Sequence, residues 1–182
     1  MKITVIGRGN VGGGLARRWE RAGHEINAIG RDGGNASDAD VVVLAVPGGE
    51  IGDALAKVSG LDGKTTIDAT NTFGERNGQF DSLAAEVKST VGGPTAKSFN
   101  CNFARLYDEI DGQRVPPGNL FACDDEAREV TEQLIRDAGF EPIYAGGLEN
   151  ARLLEDHLTL MSAIVNGGMG RFFYRDAPPG EL

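Results

Sequence analysis

The sequence predicts an α/β fold: a mostly parallel sheet with helices on both faces and a helix at the C-terminal end. Three observations carry this. Short apolar runs alternate with stretches of helical period along most of the chain. A glycine cluster, Gly7-Arg8-Gly9-Asn10-Val11-Gly12, stands between the first apolar run and the first helical stretch. The 182 residues suffice for one α/β domain with a substantial core and would be cramped as two. Residues 1–182 are therefore read as one domain, 1–145 forming the sheet core and 146–182 a C-terminal helix and tail.

Lys2 to Ile6 is a short apolar run that reads as a buried parallel strand. Asn10 to Ala22 reads as a helix with Val11, Leu15 and Trp19 on one stripe, and Gly23 stands where a helix C-terminal glycine belongs. Glu25 to Ile29 is the second strand. Gly30 to Asp40, rich in Gly, Asn, Ser and Asp, is a loop. Val41 to Val46 is the clearest buried strand, ended by Pro47, and a helix over Glu50 to Val58 follows. Thr65 to Asp68 is a strand, Asn71 to Gly78 a loop and Phe80 to Lys88 a helix. Thr95 to Phe99 is a strand and Asn102 to Tyr107 a helix. Asp111 to Asn119 is a Gly/Pro-containing loop, Leu120 to Cys123 a strand, and Asp125 to Ala138 a helix bounded by Gly139. Phe140 to Tyr144 is the last strand and Gly147 to Ile164 a long apolar helix. The end, Asp176 to Leu182, is expected to be mobile.

Composition narrows the function classes. A formal charge of −9 suits neither nucleic acid nor an anionic membrane. It leaves room for an anionic cofactor held by local amides and arginines. The two cysteines, Cys101 and Cys123, make neither a disulfide framework nor a metal-ligand spacing, and the two histidines, His24 and His157, are far apart. No metal site is expected. The brief N-terminal apolar run is not a signal peptide, and no run approaches membrane-spanning length. A soluble cytoplasmic protein is the expectation.

The glycine cluster fits the dinucleotide fingerprint of a Rossmann-like fold. Gly7 allows the tight turn out of the strand, Gly9 lets a pyrophosphate approach the backbone, and Gly12 lets helix and strand lie close. Asn10 and Val11 open the helix, whose unpaired N–H groups and positive dipole end face the phosphates. Its position between a strand and a helix lifts this motif above a chance match. Gly13 and Gly14 continue the run at a cost of roughly 1 kcal/mol each in a helix. Close approach of cofactor or backbone, or tight packing against a neighbouring strand, would offset it.

NADP is expected over NAD. An NAD site carries an acidic residue after the second strand, whereas here Gly30 and Arg31 follow it, and arginine binds phosphate bidentately. Arg8 lies over the adenine or reaches the same phosphate. A solvated loop role is the alternative for Arg31. A strand ending two residues later would make Asp32 the ribose ligand and reverse the preference.

Several segments together resemble the NADP-dependent reductases of the deazaflavin coenzyme F-420. These are Gly7 to Gly12, Leu15-Ala16, Ala22-Gly23-His24-Glu25 and Gly30-Arg31, then Ala39 to Pro47, Asp68-Ala69-Thr70-Asn71 and Ala96-Lys97-Ser98-Phe99-Asn100. Gly118 to Phe121, Ala138 to Pro142, Gly146 and Ala151 to Glu155 are similar too. The resemblance runs to Ile164. It implies hydride transfer between NADPH and a deazaflavin with the two rings stacked, and often a homodimer. Two departures stand out. Gly30 to Asp40 cannot hold the helix and strand that the family has there, so a narrower sheet with a more open adenine end is expected. Family members also often continue past Ile164, so part of the acceptor pocket is expected to be either missing or supplied by a partner subunit.

Hydride transfer between two flat rings needs alignment, and the cofactors carry the reaction. Val46, Pro47 and Gly48 follow the strongest strand and leave room for the nicotinamide ribose. Asn71 is a ligand for that ribose or the carboxamide, and Asn100 for the carboxamide or a deazaflavin edge. Turn formation is the alternative for both. His157 is either an acid/base group or a surface or satisfied histidine, and Cys101 either faces the cleft or packs. The stripe Leu153, Leu154, Leu158, Met161 and Ile164 is core or dimer interface. Arg105, Arg114, Arg171 and Arg175 are available to a phosphate-bearing acceptor. The rival functions are an NADP-dependent dehydrogenase or imine reductase acting on a small substrate, and a nonenzymatic NADP-sensing module.

Overall fold

A computed structural model of the chain describes residues 1–72 and 78–180. Residues 73–77 of the expected Asn71 to Gly78 loop and residues 181–182 of the tail lie outside the described residues. In chain order the strands are β1 (Lys2–Ile6), β2 (Glu25–Ile29), β3 (Gly34–Asn35), β4 (Val41–Leu44), β5 (Val58–Ser59), β6 (Thr66–Asp68), β7 (Thr95–Lys97), β8 (Gly118–Cys123) and β9 (Glu141–Tyr144). The α-helices are α1 (Asn10–Arg21), α2 (Ile51–Ala56), α3 (Leu83–Val91), α4 (Arg128–Asp137) and α5 (Ala151–Ile164).

Seven strands form one sheet in the order β2-β1-β4-β6-β7-β8-β9, and β3 pairs with β5 in a separate ladder. The first five strands are parallel. Ile6 is level with Ile29 on one side and Leu44 on the other, Leu44 with Asp68, and Asp68 with Lys97. The residues that follow these five ends therefore emerge along one edge of the sheet, where ligands bind in open α/β folds. As the length of Gly30 to Asp40 predicts, β2 is an edge strand, and among the described residues the sheet gains no strand beyond it.

β8 runs antiparallel to β7, and β9 is parallel to β8, so the last two strands oppose the other five. The connection from β7 holds a 3-10 helix over Ala104–Gly112 in place of the expected α-helix Asn102 to Tyr107. Chain alternation sorts two faces. Ile3, Val5, Val43, Ile67 and Ala96 meet α1, α4 and Tyr107 on one face. Ile6, Val42 and Leu44 meet α2 and α3 on the other. Ala122, between Phe121 and Cys123 of the first face, packs with Leu154 and Met161 of α5.

Several boundaries differ from expectation for local reasons. The helix expected over Glu50 to Val58 ends at Ala56 because Val58 and Ser59 pair with Gly34 and Asn35. The helix expected over Phe80 to Lys88 starts at Leu83, because Ser82 Oγ accepts from Ala85 N at 3.0 Å, and it ends at the left-handed Gly92. The strand expected to reach Phe99 stops at Lys97, since Phe99 has φ 61°.

Two buried polar side chains of the first face, Trp19 and Arg18, are hydrogen-bonded, whereas the Tyr107 hydroxyl is buried without a partner among the described residues. Trp19 Nε1 donates to Leu134 O at 2.8 Å. Arg18 donates to Tyr107 O at 2.8 Å, to Ala138 O and to Asp111, and its guanidinium holds the Asp111 carboxyl below the ordinary range. Among the described residues, no helix is long and apolar enough to cross a membrane.

Candidate functional site

The glycine turn after β1 is built as the sequence predicts. Gly7 has φ +106°, and a Cβ there would lie 2.3 Å from Ala45 O. A Cβ on Gly12 would lie 1.9 Å from Gly7 O. A Cβ on Gly9 would have no protein atom within 4 Å. Fold packing thus explains Gly7 and Gly12 but not Gly9, whose bare backbone leaves space for a ligand. Gly13 N donates to Gly9 O at 2.8 Å, so the amides of Asn10, Val11 and Gly12 precede the hydrogen-bonded part of α1. Gly9 caps the helix with no side-chain hydrogen bond. Gly13 and Gly14 are explained by packing. A Cβ on Gly14 would lie 2.6 Å from the Tyr107 ring, and one on Gly13 would lie 3.2 Å from Arg8 O.

Two clefts open along this edge, of about 670 Å³ and 600 Å³. Both are lined by Gly9, Ala45, Val46 and Pro47, so they form one groove across the ends of β1 and β4. The first holds Arg8, Arg31 and Lys57 together with Glu50 and Asp53. β2 ends at Ile29, and Arg31, not Asp32, lines this cleft. The Arg8 guanidinium lies over Gly30, where a Cβ would be 2.3 Å from Nη2. Lys57 has no motif in the sequence. It enters the cleft from the end of α2.

The second cleft holds Asn10 and Val11 on one side and Asn71 and Asn100 on another. Asn71 Nδ2 donates to Asn100 O at 2.9 Å, and Asn100 Nδ2 donates to Leu154 O at 3.0 Å and Asn71 Oδ1 at 3.3 Å. Asn100 Oδ1 is buried without a partner among the described residues. The left-handed Phe99 turns the chain into this position. Its ring is pinned edge-on to Trp19, centroids 5.6 Å apart, and Asn119 Oδ1 accepts from Ser98 Oγ at 3.1 Å. Gly48 lines neither cleft. It is buried, donates to Asn71 O at 2.9 Å, and a Cβ there would lie 2.8 Å from that oxygen.

His157 is not brought to the groove, and its ring stands edge-on to Tyr174 at 6.1 Å. Cys101 lines the second cleft, but burial pushes its thiol up to about 12 against the opposing effect of Lys97. Arg105 and Arg171 also line this cleft, whereas Arg175 donates to Pro116 O at 3.0 Å. The α5 stripe divides. Leu154 and Met161 are core, Leu158 lines the second cleft, and Leu153 is 64% exposed.

Sequence reasoning missed a buried ion cluster behind the groove. Lys97 Nζ lies 2.7 Å from Asp68 Oδ2 and 3.4 Å from Glu155 Oε1, and donates to Thr70 O at 2.7 Å. Glu155 Oε1 also accepts from Leu83 N at 2.8 Å, tying α5 to the start of α3.

No family model and no curated protein matches the chain. Solved structures do. A candidate F-420-dependent NADP reductase from Arthrobacter sp. FB24 superposes with a TM-score of 0.83 at 22% identity, covering 98% of this chain and 100% of that one. A hypothetical protein from Sinorhizobium meliloti gives 0.67 at 25% identity, covering 81% and 86%. A reductive aminase from Aspergillus terreus, in complex with NADPH and ethyl levulinate, gives 0.68 at 16% identity over 91% of this chain and 62% of its own. Likeness at these identities speaks to architecture, and with the strand order above it makes the chain a Rossmann-like α/β protein.

Proposed function

We propose that the chain is an NADP(H)-dependent oxidoreductase that transfers hydride between NADPH and a deazaflavin coenzyme of the F-420 type. One observation carries the first half: at Gly9, beside the free amides of α1, the glycine leaves room that no protein atom fills. The Arthrobacter protein, a candidate F-420-dependent NADP reductase, and the NADPH complex of the aminase agree with it.

NADPH, when bound, supplies the hydride. The chain's residues bind and orient. The amides after Gly9 hold the pyrophosphate, with Gly7 and Gly12 keeping the turn closed. Arg8 and Arg31 hold the 2′-phosphate. Val46 and Pro47, common to both clefts, bound the nicotinamide ribose, while Gly48 keeps Asn71 in place. Asn71 and Asn100 hold the carboxamide or acceptor edge.

The second cleft supports a deazaflavin over a small carbonyl or imine. Among the described residues no carboxylate or histidine lines it, and the Cys101 thiol is pushed up to about 12. A small carbonyl needs a proton as hydride arrives. A deazaflavin spreads the charge over its ring, and Arg105 and Arg171 suit its phosphate-bearing side chain. His157 would serve as a proton donor only if α5 shifted. The exposed Leu153 and Leu160, one stripe of α5, make that helix the proposed homodimer contact, which mass in dilute solution checks.

The test is rapid mixing of the protein with NADPH and oxidised deazaflavin, followed by absorbance, beside flavin and cyclic imine acceptors. Deazaflavin reduction is expected. Turnover of an imine alone favours the small-substrate reductase, and tight NADPH binding with no acceptor turned over favours a sensing module.

A further inference from the structure

The first cleft contains a cation that the fingerprint does not account for. Arg8 comes from the glycine turn, Arg31 from the loop after β2, and Lys57 from the residue that ends α2. Among the described residues none of the three is in an ion pair. Asp53 stands four residues before Lys57 on the same helix, a spacing at which such pairs form readily, yet the two are not joined. Three unpaired cations thus meet in one cleft of a chain whose net charge is −9.

The backbone holds Lys57 in step with Arg31. Lys57 O accepts from Gly34 N at 3.1 Å, and the next two residues pair with Gly34 and Asn35. Gly33 has φ +80°, and a Cβ there would lie 2.1 Å from Lys57 O. Gly33 is therefore the residue that permits the loop after β2 to close on the end of α2. That closure is available because no helix or strand intervenes between β2 and β4 beyond the two-residue β3. The short loop and Lys57 make one unit.

Charge decides what such a unit would favour. The cleft carries three cations against the carboxylates of Glu50 and Asp53, a balance of three minus two, or +1. A phosphomonoester dianion gains from that balance, and a ribose diol does not. Loss of any one cation leaves the cleft neutral. We infer that Lys57 is a specificity-determining residue that contacts the 2′-phosphate of NADP(H) together with Arg8 and Arg31. The inference rests on the NADP reading above.

The test titrates NADPH, NADH and adenosine 2′,5′-bisphosphate into wild type, Lys57→Gln and Lys57→Arg by calorimetry, with no acceptor present. Lys57 is exposed, and an unchanged melting temperature verifies that the variants fold. Lys57→Gln is expected to weaken NADPH and the bisphosphate about tenfold, the scale of one charge-assisted contact, with NADH unchanged. Lys57→Arg retains most of the affinity. A wild-type preference for NADPH that survives Lys57→Gln undiminished, or equal losses for NADPH and NADH, overturns the role of Lys57 alone. Wild-type protein that binds NADPH no more tightly than NADH overturns the NADP reading and this inference with it.

Discussion

Asn71 and Asn100 are joined by two hydrogen bonds, one from each side chain: Asn71 Nδ2 to the Asn100 carbonyl at 2.9 Å, and Asn100 Nδ2 to Asn71 Oδ1 at 3.3 Å. They follow adjacent parallel strands whose ends are in register at Asp68 and Lys97. Each asparagine thus fixes the other at the groove. The turn-forming and ligand-holding roles left open by the sequence are compatible, because the bonds that order the turn also orient the amides.

Asn100→Ala removes one member of this pair and both donations from its amide. Hydride transfer is expected to fall about ten- to hundredfold, the cost of a misplaced reactant. NADPH affinity should change little, since the phosphate contacts are remote. Single-turnover rates set against a binding titration separate the two quantities. An unchanged rate would remove Asn100 from the site.

Gly9 and Gly12 should respond in opposite ways. A Cβ on Gly9 has no protein atom within 4 Å, so the fold of Gly9→Val is expected to persist while dinucleotide binding is lost. Gly12→Ala drives a Cβ to 1.9 Å from Gly7 O and is expected to destabilise by at least ~1–3 kcal/mol. Urea unfolding and an NADPH titration on both variants check this. A folded Gly9→Val protein that still binds would place the dinucleotide elsewhere.

Arg31→Ala is expected to weaken NADPH by about ten- to hundredfold, the range for a hydrogen bond to a charged group, and NADH far less. Fluorescence titration with both nucleotides gives the comparison. Equal losses would mean that Arg31 does not contact the 2′-phosphate.

Lys97→Met should be costly without any direct contact with ligand. It leaves the buried carboxylates of Asp68 and Glu155 without their shared cation, and a loss of about 3–5 kcal/mol is expected. The midpoint of denaturant unfolding measures it. A loss below about 1 kcal/mol would mean that the cluster relaxes around the missing cation.

Most of the strand and helix order and the glycine turn after β1 were legible in the sequence. Gly7 and Gly12 meet atoms of the turn itself or of the segment after the adjacent strand, Gly9 leaves its own backbone bare, and the apolar runs of β1 and β4 are local, so these features can be read in one dimension. The narrow sheet followed from arithmetic, because Gly30 to Asp40 is too short to hold both a helix and a further strand of the main sheet. The direction of β8 and β9 was fixed on folding, because a strand's direction depends on how the returning chain meets the sheet edge and not on its own residues. Folding also decided which charges matter. Lys57, Lys97, Asp68 and Glu155 look like ordinary polar residues in sequence, and His157 stood between an acid/base group and a surface or satisfied histidine. Pairing across long sequence separations buried Lys97 with Asp68 and Glu155, carried Lys57 to Arg31, and turned His157 toward Tyr174. Burial and charge neighbourhood are properties of packed surfaces, and those exist only once the helices lie on the sheet.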